Sequence, residues 1–256
     1  MLLKLQKGII YGPVHSRRLG LSLGINILPE TEKVCPFNCL YCQYGWTKIH
    51  KMNLKDIHSN LPSIESVRES LRVALEGLDE HVSYITFSGN GEPTLHPDFG
   101  QIVEEATVLR DQLAPWAKTA VLSNSALVSD RAIRESLRRL DLRIMKLDCG
   151  LPRLFKKYNQ PCPGVTLEGI TEGLMELSKL RPLTIQTLIS SGKNGNFTSQ
   201  NISAWMERIK RIKPVTVQLY TLDRGCPSSD LHPATRDELN WIKDEAEQAG
   251  ISIEVY

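Results

Sequence analysis

Leu21-Ser-Leu-Gly-Ile-Asn-Ile-Leu28, an apolar stretch that feeds directly into Cys35-Pro-Phe-Asn-Cys39-Leu-Tyr-Cys42, is the first in a series of short apolar runs that recur to the end of the chain. Runs rich in β-branched residues follow at 82–87, 119–122, 142–147, 183–189, 215–220 and 251–255, and their composition predicts buried strands. Helical patterns fall between them at 64–78, 99–113, 130–140, 167–180, 199–212 and 236–249. Thr235 followed by Glu238 has the spacing at which each side chain satisfies a backbone N–H of the first helical turn, and Gly250 then ends that helix.

Alternating strands and helices with short connections require parallel strands, right-handed crossovers and helices packed on the sheet. The expected fold is α/β: a partial, (β/α)6-type, TIM-like barrel of parallel strands with outer helices. A complete eightfold barrel needs roughly 250 residues only when every loop is tight, and the loop after the first strand is long. At 256 residues, with 41% apolar content and no linker, the chain is expected to form a single domain over 1–256. In such folds the chemistry sits in the loops at the carboxyl ends of the strands.

Lys4 and Lys7 interrupt the short apolar start, which has no cleavage site of small residues, so no signal peptide is expected. No stretch approaches the roughly 20 apolar residues of a membrane span, which predicts a cytoplasmic protein with reduced thiols. The net charge of +2 neither implies nor excludes nucleic acid. Basic clusters at Arg17 and Arg18, at Arg138 and Arg139, and at Arg208, Lys210, Arg211 and Lys213 read as solvated edges, although a tRNA-binding face would use the same residue types.

The loop after the first strand gathers three thiolates as CxxxCxxC: Cys35, Cys39 and Cys42. Three is the informative number, because a four-iron cubane bound by three cysteines keeps one iron for a small molecule. Structural zinc is the alternative, but it wants four closed ligands, and His50 lies too far along to be an obvious fourth. A disulfide is disfavoured by the compartment.

The cysteine motif with Tyr41 just before its last member resembles the signature of the radical S-adenosylmethionine (SAM) superfamily. Further stretches look like its subgroup related to wyosine synthetase. These are Tyr11-Gly-Pro-Val-His-Ser-Arg-Arg-Leu-Gly20, Ser22-Leu-Gly-Ile-Asn26, Tyr41-Cys-Gln-Tyr-Gly45, Phe87-Ser-Gly-Asn-Gly-Glu-Pro-Thr-Leu-His-Pro-Asp98, Lys146-Leu-Asp148 and Gln218-Leu-Tyr-Thr-Leu-Asp-Arg224. The resemblance implies an oxygen-sensitive enzyme with a 4Fe-4S cluster on Cys35, Cys39 and Cys42. The open iron is chelated by the amino and carboxylate groups of SAM. Reductive cleavage then gives methionine and a 5'-deoxyadenosyl radical that abstracts hydrogen from a substrate. An electron donor such as flavodoxin or ferredoxin is the expected partner.

The resemblance also implies cofactor-binding positions. Tyr41 maps near the adenine. Asn90, Gly91 and Glu92 map to the glycine-rich loop that accepts a hydrogen bond from the methionine amino group, with Glu92 fixing that loop. Asn124 is placed to reach the methionine part, and Asp148 to bond ribose hydroxyls or, equally, to cap a turn. Gln186 and Gln218 stand on apolar strands and must find partners, which places them along the barrel interior.

The substrate is less legible. Wyosine-type enzymes carry extra cysteines upstream for a second cluster, whereas Cys35 is the first cysteine here. Cys149, Cys162 and Cys226 each fall at or after a strand end, so they are candidates for an auxiliary cluster or, more blandly, small buried hydrophobes. Arg17, Arg18 and Arg224 are candidates for gripping an anionic substrate, or for surface ion pairs. His15 and His96 are candidate proton donors, or structural hydrogen-bonding residues. Three classes of target stay open: a small molecule, a tRNA nucleoside, and a partner protein matured by an activase. Binding of the cofactor without turnover is the remaining alternative.

Overall fold

The computed structural model describes residues 1–54 and 60–256. The chain enters through a hairpin in which β1 (Ile10–Ser16) lies antiparallel to β2 (Gly20–Ile25). Then come α1 (Ile64–Glu76), β3 (Tyr84–Phe87), α2 (Phe99–Leu113), β4 (Lys118–Ser123), α3 (Arg131–Arg138) and β5 (Leu142–Lys146). The second half adds α4 (Pro152–Tyr158), α5 (Leu167–Leu180), β6 (Thr184–Ser191), α6 (Ser199–Ile212), β7 (Thr216–Thr221), β8 (His232–Pro233), α7 (Arg236–Gln248) and β9 (Ile253–Val255).

Strands β2 to β7 and then β9 are parallel neighbours in chain order, with β1 at one edge, while the short β8 pairs antiparallel with β6. The two edges of the sheet, β1 and β9, do not pair with each other, so the barrel is partial. Side chains bridge the gap instead. Arg17 Nη2 lies 2.8 Å from Asp223 Oδ2, and the Arg18 guanidinium sits 4.5 Å above the Tyr220 ring and 5.6 Å from that of Tyr256.

Local chemistry explains the element ends. Ser63, Thr166 and Thr198 cap α1, α5 and α6 by accepting from Ser66, Gly169 and Asn201 N–H groups. Both bonds of the capping box expected at Thr235 and Glu238 are present, and Gly250 follows with φ +75°. One apolar cluster runs from Leu23 on β2 to Ile253 on β9, with Trp205, Tyr158, Phe87 and Phe99 among its largest members.

Strand positions agree with the apolar runs to within a few residues. The antiparallel β1 departs from the all-parallel expectation. Its residues are mostly exposed and include Gly12 and Pro13, so it carries neither an alternating nor a continuous apolar signal. The ring of Tyr11 on β1 occupies the space where a Cβ on Gly24 would stand, 2.2 Å from the nearest ring atom, so the hairpin closes against β2 only because residue 24 lacks a side chain. The short α4 also escaped the periodicity. Its signal is Pro152, whose fixed φ and missing N–H suit the first helical position.

Candidate active site

The cysteine loop leaves β2 and is pinned from several directions. Val34 N–H donates to Asn90 O at 2.9 Å, Cys35 N–H to Ile49 O at 3.1 Å, and Leu40 N–H to Tyr158 O at 3.0 Å. Cys35, Cys39 and Cys42 thereby line one cavity of about 470 Å³ that opens at the carboxyl ends of the strands. Donors face the sulfurs. Asn124 Nδ2 lies 3.3 Å from Cys35 Sγ, Asn159 Nδ2 lies 3.5 Å from Cys39 Sγ, and Lys33, whose Nζ donates to Gly45 O at 2.8 Å, is near enough to Cys42 and Cys35 to interact with them electrostatically.

Burial pushes the Cys39 thiol up to about 12 and raises Cys35 as well, so their thiolates need positive charge close by. Lys33 supplies some. Burial works against its ammonium, but the sulfurs of Cys42 and Cys35 outweigh that and its pKa is raised. A donor set of three soft sulfurs, ringed by N–H groups on a cavity wall, fits an iron-sulfur cluster with one accessible iron. Among the described residues no three His, Cys, Asp or Glu side chains converge tightly enough to hold a single metal ion.

The loop after β3 is braced to the loop after β4 by one carboxylate. Glu92 Oε1 accepts from Thr94 N–H at 3.1 Å, Thr94 Oγ1 at 2.7 Å and Ser123 Oγ at 2.9 Å, and Oε2 accepts from Asn124 N–H at 2.5 Å. Gly91 adopts φ +144°, and a Cβ there would fall 1.7 Å from Val34 O. The cysteine loop and the glycine loop can therefore touch only through glycine. Asn90 is buried, with its side chain spent on the N-terminal segment. Its Oδ1 accepts from Gln6 N–H at 2.7 Å, and its Nδ2 donates to Gln6 O and Pro29 O.

Behind the cysteines, Asp148 is the hub of a buried network. Oδ1 lies 2.8 Å from Lys146 Nζ and accepts from Leu188 N–H at 2.9 Å, while Oδ2 accepts from the Tyr41 hydroxyl and from Asn159 Nδ2 at 3.0 Å. Both oxygens are engaged by protein, whereas Tyr41 and Lys146 reach the cavity wall. Lys146 also donates to Tyr220 OH at 2.9 Å. Burial opposes its charge, but Asp148 and Tyr220 outweigh it and its pKa is raised.

Asn124, Gly91, Glu92 and Gln186 all line the cavity, and Gln186 Nε2 donates to Gln218 Oε1 at 3.0 Å. His15, Arg17, Arg18 and Arg224 stand on the same wall. His96 does not. Its Nε2 lies 3.0 Å from Pro62 O, and its Nδ1 accepts from Asp98 N–H, so both ring nitrogens serve the loop. The remaining cysteines have separate surroundings. The Cys149 thiol faces Asn159 Oδ1 at 3.7 Å, Cys226 faces Ser228 O at 3.3 Å, and Cys162 is a buried thiol whose backbone N–H bonds Pro36 O. Lys33 and Asn159 escaped the sequence reading. Lys33 offered its closeness to Cys35, but Asn159 lies 120 residues from Cys39 and had no local signal.

A sequence model described as the radical SAM superfamily matches residues 31–196, from just before the cysteine loop to just past β6. The chain belongs to the radical SAM superfamily. It is an enzyme of the radical SAM class, a family that implies a 4Fe-4S cluster and SAM and generally needs a reductant. The radical SAM chain is 34% identical over 220 residues to UPF0026 protein slr1464 of Synechocystis sp., covering 85% of this chain and 77% of that one. It is 30% identical over 252 residues, 98% of its length, to a Brachyspira hyodysenteriae protein named GTPase Obg, of which it spans 35%. The structure of TYW1 with a lysine-pyruvate adduct bound has the same fold, with a TM-score of 0.63 and 17% identity over 89% of this chain and 73% of that one. Among the described residues no helix is long and apolar enough to cross a membrane.

Proposed function

We propose that Cys35, Cys39 and Cys42 ligate three irons of a 4Fe-4S cluster, and that the fourth iron takes the amino and carboxylate groups of SAM. When bound, the cluster supplies the electron that cleaves SAM to methionine and a 5'-deoxyadenosyl radical, which abstracts hydrogen from the substrate. The observation that carries this reading is the convergence of the three donor-ringed thiols and the Gly91 loop on one cavity.

Within that reading, Tyr41, Gly91, Asn124 and Gln186 are the groups on the wall that touch the cofactor. Asn90 and Glu92 hold the glycine loop, and Asp148 holds Tyr41 and Lys146, so these three position rather than contact. TYW1 has been solved with a lysine-pyruvate adduct bound, and Lys146 is a lysine on the cavity wall of this chain. Its contacts with Asp148 and Tyr220 favour an ammonium, which has no lone pair to add to a carbonyl, so we assign it the role of a fixed cation.

The chain works as a single domain over 1–256 in a reducing, cytoplasmic compartment, with a flavodoxin or ferredoxin as electron source. The test is anaerobic iron reconstitution followed by reduction in the presence of SAM. Formation of 5'-deoxyadenosine supports catalysis, and SAM that is bound but never cleaved contradicts it.

A further inference from the structure

Charged side chains on the cavity wall pair off unevenly. The lining includes Arg17, Arg18, Lys33, Lys146 and Arg224 against Glu92 and Asp223. Asp223 is taken by Arg17 at 2.8 Å, Lys146 by Asp148 beneath the wall at 2.8 Å, and Lys33 by the cysteine loop. Glu92 is saturated by donors from Thr94, Ser123 and Asn124. Two guanidinium groups remain.

Arg18 is the more informative. Its guanidinium is held by the faces of Tyr220 and Tyr256 rather than by a carboxylate, and its Nη1 is buried without a hydrogen-bond partner. Nη1 is the one such side-chain atom among the described residues. Burial is the largest influence on this group and lowers its pKa, with Tyr220 opposing. A buried cationic donor left unpaired is costly, so its persistence on the wall of a functional cavity calls for an anion from outside the chain. The aromatic clamp fixes the plane of the guanidinium and presents its fork in a set orientation. Arg18 lies between β1 and β2 and Tyr220 on β7, so this group sits where the two edges of the sheet approach, away from the glycine loop after β3.

We propose that Arg18, with Arg224 on the same wall, binds a carboxylate or phosphate group carried by the substrate. This deepens the functional reading above and rests on it. It sets the substrate class as an anion whose charged group docks at the β1–β2 turn while its reacting carbon faces the cysteine loop.

The test is anaerobic calorimetry on iron-reconstituted, SAM-saturated protein, titrated with inorganic phosphate in one arm and malonate in the other. Saturable binding in either arm is expected, and the arm that binds identifies the chemistry. Arg18→Gln should weaken it roughly ten- to a hundredfold, the range for losing a charged hydrogen bond. Arg18→Lys, which keeps charge but loses the two-point fork, should fall between. Arg224→Gln alters an exposed residue and should weaken binding several-fold even if the Arg18 variants fold poorly. No saturable binding in either arm overturns the proposal, as does binding that survives the substitutions. Displacement of SAM by the anion also overturns it, because the site would then belong to the cofactor's own carboxylate. Wild-type protein that retains neither iron nor SAM would instead mark failure of the broader functional reading.

Discussion

Lys146 Nζ and Asp148 Oδ1 stand 2.8 Å apart in the interior, two residues from one another at the end of β5, and together they orient Tyr41 and Tyr220 at the cavity wall. The pair is desolvated, so its worth lies in mutual compensation. Lys146→Met leaves a buried carboxylate without its cation and is expected to cost about 3–5 kcal/mol. The double variant Lys146→Met/Asp148→Asn should recover part of that loss. Urea midpoints of the four proteins check it, and additive losses would deny the coupling.

Glu92 ties two strand-end loops with acceptor bonds alone. Glu92→Gln replaces one accepting oxygen by an NH2 that faces a donor, and is expected to destabilise the fold by about 1–3 kcal/mol. Burial raises the Glu92 pKa while the bonds from Thr94, Asn124 and Ser123 pull it back only in part. The native state therefore holds this proton more tightly than the unfolded chain. Its contribution to stability falls as pH rises from about 4.3 to the folded value. Glu92→Gln should remove that slope in denaturant midpoints measured across the window.

Asp141 predicts the opposite sign. Burial disfavours its carboxylate, but Thr119 N–H at 2.8 Å and Arg110 at 2.6 Å outweigh it and hold its pKa below the usual value. Its stabilisation is complete above the unfolded value of about 3.9 and is lost as pH falls through the folded one. The difference in stability between wild type and Asp141→Asn should shrink on acidification below about pH 4. A difference that stays constant to low pH would contradict the assignment.

Gly91→Ala puts a methyl group 1.7 Å from Val34 O at φ +144°, so the glycine loop and the cysteine loop must separate. The substitution is expected to cost more than about 2 kcal/mol and to weaken SAM binding with it. Gly250→Ala also has a positive φ, but nothing lies within 4 Å, and it should leave SAM binding unchanged. Thermal unfolding and equilibrium dialysis of SAM separate the two.

The frame of the site was legible in the chain because each part has a local signature. Three cysteines in one loop, a glycine-rich turn after a strand and apolar runs of strand length depend on near neighbours only. The hairpin at Ile10–Ser16 was not legible, since its pairing rests on Tyr11 filling the void over Gly24, a contact between strands. Asn159 bonding Cys39, Asn90 holding Gln6 and Asp148 holding Tyr41 likewise join distant segments. The position of Asp148 suggested a ribose acceptor or a turn cap, and the donors it meets from Leu188 and Asn159, 40 and 11 residues away, have no local signature.

The central claim is that three thiolates hold a four-iron cluster with one corner open to SAM, and Mössbauer spectroscopy of protein reconstituted with ⁵⁷Fe tests it most directly. Addition of SAM should shift the signal of one iron in four and leave the rest unchanged, and Cys35→Ala, Cys39→Ala or Cys42→Ala should each abolish the cluster. Four irons unresponsive to SAM, or a cluster that survives loss of any of these cysteines, would contradict the account.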